Sequence, residues 1–261
     1  MKPLLKIDRL TGGYSTGRPV LHDISLQVNA GEMVGLIGLN GAGKSTTMKH
    51  ILGLLEPQAG SVSIHGKTLA EDAEAYRAAI AYVPESPILY DALTVREHLV
   101  WTATAYGVEQ GVFEKRVREL AEMFHMTAHL DKAAQHLSKG MRQKTMLMCA
   151  FAVRPPLYII DEPFLGLDPL GIRSLLQYMK QVQAEGASLL VSSHILSTIE
   201  HYCDSFVLLH HGKVLGAGTV HGMHDQYEAQ SGKRAEERLE ELFYAWVSDE
   251  RITGSVDGVQ R

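Results

Sequence analysis

Apolar and polar positions alternate early in the chain. In LHDISLQV (21–28), Ile24, Leu26 and Val28 fall at every second position, which predicts a half-buried strand. The first thirty residues as a whole read as strands. MVGLIG (33–38) carries no polar side chain, as expected of a strand covered on both faces. A Gly-rich turn follows, then a helix predicted over 44–54. EPQAGSVSIHGK predicts a turn, a short strand and another turn, before a helix near 72–79 and the strand IAYV (80–83). Residues 84–150 change character: two helices, near 94–106 and 112–125, with little strand signal between them. After Leu137 the pattern is helical again. It then alternates: strand LYIID (157–161), helix 169–184, strand SLLVSS (188–193), helix 195–202 and strand SFVLLH (205–210). A turn at His210–Lys213 leads to the strand KVLGAG (213–218). Strands alternating with helices predict an α/β fold with a mostly parallel sheet wrapped by helices. AEERLEELFYAW (235–246) spaces Leu239, Leu242, Phe243 and Trp246 for a docked amphipathic helix, and the closing SDERITGSVDGVQR has the aperiodic pattern of a loose tail.

Composition sharpens this only a little. The 261 residues are 45% hydrophobic and 21% charged, enough for a real core, and the net charge of −5 gives no general attraction to nucleic acid. Cys149 and Cys203 lack CxxC spacing, so a reduced, cytoplasmic setting is expected. MKPLLKIDRL has charges where a signal peptide needs apolar residues, and no run reaches the length of a membrane span. The chain is expected to be soluble by itself and to depend on a partner for any work at a membrane.

The strongest chemistry is GLNGAGKST (38–46), which fits GxxxxGK[ST] between a predicted buried strand and a helix. Gly38, Gly41 and Gly43 let the backbone curl so that successive N–H groups point inwards as an anion nest, with the helix N-terminus behind them. Lys44 is expected to reach the β- and γ-phosphates, and Ser45 to coordinate Mg²⁺. The matching metal acid should end a buried strand, and LYIIDEP supplies Asp161 there. Glu162, one residue on, is placed to polarise a water attacking the γ-phosphate. A second helix start suited to an anion, LSKGM (137–141), lies about a hundred residues further along than the first.

GLNGAGKST, LSKGM, LYIIDEP, GLD and SSH, in this order and spacing, resemble the nucleotide-binding subunits of ABC transporters over residues 1 to about 220. More narrowly, YVPESPILYDALTVREHL, LSKGMRQK, DEPFLGLDPL and HILSTIEHYCDSF resemble the Ecs-type ATPases of Gram-positive bacteria. The resemblance implies a P-loop ABC-type ATPase domain over 1–220. It would have an N-terminal antiparallel β subdomain, an inserted helical subdomain at about 86–150, and a helical appendage with a loose tail at 221–261. It implies that ATP is held by Gly38, Leu39, Asn40, Gly41, Ala42, Gly43, Lys44, Ser45 and Thr46, with the Tyr14 ring stacked on adenine. Two subunits, expected to be a homodimer, would pack head to tail around two ATP. Ser138 and the Gly140 N–H of one would bind the γ-phosphate held by Lys44 of the other. Asp168 would contact the neighbouring subunit, and His194 would act as the switch histidine of a catalytic pair with Glu162. The expected activity is ATP hydrolysis coupled to a separate integral membrane subunit, which would hold this chain at the inner face of the membrane.

Two positions depart from the common pattern. Glu85 stands where glutamine is usual; it brings an acceptor and a negative charge to the γ-phosphate, and is expected to keep a coupling role and alter the metal step, with Ser45 and Asp161 as its fellow metal ligands. Lys139 stands where many relatives have glycine and is expected to be solvated; motifs of this LSKGM kind favour export. The loop from Glu85 to Leu93, with Pro84, Pro87 and Tyr90, is expected to receive the membrane subunit. His210, His211, His221 and His224 are not expected to bind metal, because neighbouring residues rarely turn both rings to one ion. Met141, Met146 and Met148 are expected to fill packing space, and the helix at 235–246 to be a stabilising appendage. The alternative reading is a soluble ABC-type ATPase acting on nucleic acid or the ribosome. A degenerate nucleotide binder is disfavoured by the presence of both Glu162 and His194.

Overall fold

The computed structural model describes residues 2–233, 238–249 and 253. In chain order the elements are strands β1 (Leu5–Gly12), β2 (Leu21–Val28) and β3 (Met33–Ile37), helix α1 (Lys44–Ile51), strands β4 (Ala59–Ile64) and β5 (Lys67–Thr68), and helix α2 (Ala73–Ala78). Strand β6 (Ile80–Val83) precedes helices α3 (Val95–Ala105), α4 (Gln110–Met123) and α5 (Lys139–Val153). Then come β7 (Leu157–Asp161), α6 (Pro169–Ala184), β8 (Ser188–Ser192), α7 (Leu196–Ile199), β9 (Ser205–His210), β10 (Lys213–Gly218), α8 (Val220–Ser231) and α9 (Leu239–Ser248).

Two sheets result. A four-stranded antiparallel sheet has the order β2-β1-β4-β5, and a six-stranded sheet has the order β10-β9-β3-β8-β7-β6. In the larger sheet every neighbouring pair is parallel except β9–β10. Its central strands β3, β8 and β7 are buried along their whole length because both faces are covered. Along β7, Leu157 and Ile159 join the core shared with the antiparallel sheet and α1. Tyr158 and Ile160 join the core under α3–α6. Each aliphatic side chain so buried stabilises the fold by about 1.5–3 kcal/mol relative to exposure.

Side-chain caps mark the starts of several helices, α3, α5 and α6 among them. Thr94 and Glu97 form a reciprocal capping box at α3. Asp168 caps α6, with Pro169 at its first position. Helix α1 ends at Ile51 rather than 54, because Gly53 adopts φ +69° and its N–H turns back to the His50 carbonyl. Helix α7 is a single turn, shorter than 195–202, and β8 stops at Ser192. Helix α8 has no counterpart among the expected elements. The expected start of the last helix, 235–237, lies outside the described residues, as does all but Ser248, Asp249 and Thr253 of the expected loose tail. Among the described residues no helix is long and apolar enough to cross a membrane.

Candidate nucleotide site

Strand β8 lies between β3 and β7, with Ser192 level with Leu36 on one side and Asp161 on the other. The carboxyl ends of three parallel strands therefore open onto one place, where ligands of such sheets bind. From β3 the chain enters the glycine loop. A Cβ at Gly38 would lie 2.5 Å from the Leu209 carbonyl oxygen, so no side chain fits there. Gly41 and Gly43 hold φ of +82° and +110°. Gly43 is the N-cap of α1 and offers no side-chain acceptor, which leaves the first N–H groups of the helix free for an external anion.

Lys44 is only 7% exposed, and its ammonium donates to the carbonyls of Gly38 (2.8 Å) and Leu39 (3.4 Å). Its Nζ also lies 3.6 Å from Glu162 Oε1. The other carboxylate oxygen, Oε2, accepts the His194 backbone N–H at 3.2 Å and lies 2.7 Å from His194 Nδ1. Glu162 itself is 8% exposed and holds φ +46°, an uncommon setting for a side-chain-bearing residue and one that clusters at functional sites. The Ser192 hydroxyl joins the acid pair: it donates to Asp161 Oδ1 and accepts the Glu162 N–H at 2.9 Å. Nothing in the sequence motif distinguishes Ser192 from Ser193, so its role emerges only from the β7–β8 register.

Lys44, Ser45, Thr46, Glu85, Glu162 and His194 line one cavity of about 830 Å³, with Tyr14 at its edge. Leu39, Asn40 and the loop glycines face the same space, while Ala42 is buried behind them. The Tyr14 ring is exposed. Lys49 Nζ lies 4.9 Å from its centroid and donates to its hydroxyl at 3.1 Å. A hydrogen bond from Thr46, then the Lys49 cation, hold the phenol below its ordinary pKa. Lys49, which no motif singles out, thus orients the aromatic ring and leaves a face for a planar base.

An oxygen-lined metal site fits this arrangement. Among the described residues no group of three His, Cys, Asp or Glu side chains could cage an ion. A metal would instead share the Ser45 hydroxyl and the Asp161 carboxylate with phosphate oxygens, the usual habit of Mg²⁺. Glu85 lies in the cavity wall as a further oxygen donor.

Ser138 and Gly140 stand apart from this cavity. Ser138 is exposed and caps α5, its hydroxyl accepting the Met141 N–H at 3.3 Å. A Cβ on Gly140 would come within 2.7 Å of the Gly166 carbonyl, so the start of α5 is packed directly on the loop that follows Glu162. Lys139 is exposed, its stem running beside Gly166. Asp168 accepts the Gly171 N–H at 2.6 Å, and Lys144 Nζ approaches to 3.4 Å. That backbone bond, seconded by Lys144, holds the Asp168 carboxyl below the usual range. The rings of His210 and His211 meet edge to face, 4.2 Å apart, with burial lowering the His210 pKa. Met148 is fully buried, and Met141 and Met146 pack against the core.

The strand order, the glycine loop and the small antiparallel sheet together assign the chain to the P-loop nucleotide-binding proteins of ABC type. Comparison with known proteins agrees: the ABC transporter family profile matches residues 21–165, and the chain belongs to that family. It is 53% identical over 224 residues, 86% of its length and 90% of the relative's, to the ABC-type transporter ATP-binding protein EcsA of Bacillus subtilis. A solved ATP binding subunit of an ABC transporter aligns with a TM-score of 0.85 and 52% identity, over 92% of this chain and 98% of that one. The cbiO1 structure from Clostridium perfringens, described as part of the ABC transporter complex cbiONQ, aligns at 0.72 with 26% identity, over 84% and 89%.

Proposed function

We propose that this chain binds ATP with Mg²⁺ and hydrolyses it to ADP and phosphate, as one of two head-to-tail copies that drive a separate integral membrane subunit. The observation that carries this reading is the Glu162 carboxylate, held between Lys44 at 3.6 Å and His194 Nδ1 at 2.7 Å in the cavity wall behind the glycine loop. In this reading the loop N–H groups and Lys44 take the phosphates, and Tyr14 stacks on adenine. Glu162 accepts the proton of the attacking water, while His194 fixes the carboxylate and contacts the γ-phosphate. Bound Mg²⁺, held by Ser45 and Asp161 with Glu85 beside them, would neutralise charge building on the phosphate oxygens. Ser138 and Gly140 supply donors for a γ-phosphate that lies in the partner subunit's cavity, so ATP bridges the two copies and hydrolysis releases them. Residues 1–220 form the ATPase unit in this reading, and 221–261 the appendage.

The exposed Ile88, Tyr90 and Trp101, with the Tyr90 and Trp101 rings 5.4 Å apart, give the inserted helices an apolar patch suited to a cytoplasmic segment of the membrane subunit. The likeness to a subunit of a multi-protein transporter complex supports a partner on another chain. The LSKGM motif, of the kind expected in export-type systems, favours export. Purification from membranes with the accompanying integral protein tests this reading. Co-purification of one such protein, with ATP turnover that vanishes in Glu162→Gln, is the expected result. Recruitment to ribosomes or nucleic acid without membrane association would replace it with the soluble alternative.

A further inference from the structure

The cavity has one wall that none of the nucleotide motifs supplies. Glu240, Phe243 and Tyr244 of α9 line it alongside Lys44 and His194. Helix α9 is firmly seated. Leu239, Leu242, Phe243 and Trp246 are buried, and Glu200 Oε1 accepts the Leu239 N–H at 3.1 Å. This ties α9 to the end of α7, the helical turn that follows His194. Glu240 and Tyr244, one turn apart, share its exposed side. Glu240 has no ion pair or hydrogen bond among the described residues.

A carboxylate in the wall of a triphosphate pocket is repelled by the nucleotide unless a cation arrives with it. Lys44 is already engaged with the loop carbonyls and Glu162. Lys139 has the right charge and placement. It lies between Ser138 and Gly140, is exposed, and its ammonium has no ion partner among the described residues. When Ser138 and Gly140 of the partner subunit reach the γ-phosphate above Lys44, Lys139 of the partner subunit must arrive at the cavity mouth on its long flexible stem.

We propose that Lys139 of the partner subunit pairs with Glu240 across the bound nucleotide, once at each of the two sites. The inference rests on the head-to-tail reading and deepens it. The C-terminal helix becomes part of the dimer interface, and the lysine of LSKGM becomes a recognition group for a second copy of this chain. The pair forms only on closure, so it adds to the ATP-bound dimer and not to the separated subunit.

The test uses the full-length Glu162→Gln protein with Mg-ATP, its mass followed by light scattering over a range of concentrations. Lys139→Glu by itself would also repel the nucleotide, so Glu240→Lys and the double reversal decide the matter. With the pair, Glu240→Lys raises the concentration for half-dimerisation about tenfold, because close interfacial charge pairs couple strongly and a two-fold dimer contains the pair twice. Adding Lys139→Glu then recovers most of that loss. Without the pair, Glu240→Lys only attracts nucleotide and tightens the dimer, and the double reversal shows no recovery; either result overturns the proposal while leaving the head-to-tail dimer standing. If Glu162→Gln itself stays monomeric with ATP, both the dimer and the pair fall. Unchanged circular dichroism and melting temperature of each variant exclude a folding defect.

Discussion

Helices α1 and α5 both begin with a stretch suited to an anion, yet their surroundings differ. At α1 the N-cap is Gly43, which leaves the N–H groups open, and a buried lysine, an acid pair and a histidine stand around them. At α5 the N-cap is Ser138, which already satisfies one N–H with its own hydroxyl and stands exposed, outside the cavity. In the proposed reading the first start holds the triphosphate and activates the attacking water. The second has donors and the exposed Lys139, but it lies outside the cavity walls. In the proposed reading it contributes to an anion that the partner subunit holds in place. The difference teaches that two similar local motifs play unlike roles, and that the role is set by what the sheet brings next to each.

Glu162→Gln breaks the first environment most sharply. It keeps the side-chain shape but removes the base, and turnover should fall by about 10²–10⁴-fold, the usual worth of general-base catalysis. ATP binding should persist, because the loop N–H groups and Lys44 remain; a steady-state assay paired with nucleotide-binding fluorescence checks both. Near-normal turnover would remove Glu162 as the base. Tyr14→Ala comes next. Loss of a base stack of about 1–3 kcal/mol should weaken ATP affinity by about 5- to 150-fold, with kcat little changed at saturation. Ser138→Ala sharpens the contrast from the other side. It removes the hydroxyl from the second start, so ATP-driven pairing should weaken by about tenfold, the size of one charge-assisted hydrogen bond. ATP affinity measured below the dimerisation range should hold.

The smallest effect is expected at Asp168. Its carboxyl is held below the usual range by the Gly171 N–H and Lys144, so its folded pKa lies under its unfolded value. The stability it adds is therefore complete above the unfolded pKa and is lost as pH falls through the folded one. Asp168→Asn keeps an N-capping oxygen but not the charge. Thermal melts should show this variant close to the parent at neutral pH, within about 1 kcal/mol, with a shallower loss of stability on acidification below about pH 4.

Much of the first environment was legible from the residues. The unbroken apolar runs at β3 and β7 mark strands covered on both faces, and the glycine loop is readable because only its spacing lets the backbone curl. Gly53 could have placed the end of α1 correctly, since a glycine after a helical run is a stop signal. Other features could not be read. VHGMHDQYEAQS has no clear apolar stripe and carries a glycine in its first turn, so α8 left no periodic trace. Ser192 and Lys49 act through neighbours that come from distant parts of the chain. The α9 segment announces its apolar face but not what its polar face overlooks; that Glu240 and Tyr244 border the nucleotide cavity is a product of tertiary packing alone.

The most direct test is the structure of the Glu162→Gln protein trapped with Mg-ATP. The expected result is a two-fold dimer in which Ser138 Oγ and the Gly140 N–H of the partner subunit lie within about 3.2 Å of γ-phosphate oxygens held by Lys44. A nucleotide enclosed by one copy, with Ser138 far from any phosphate, would contradict it.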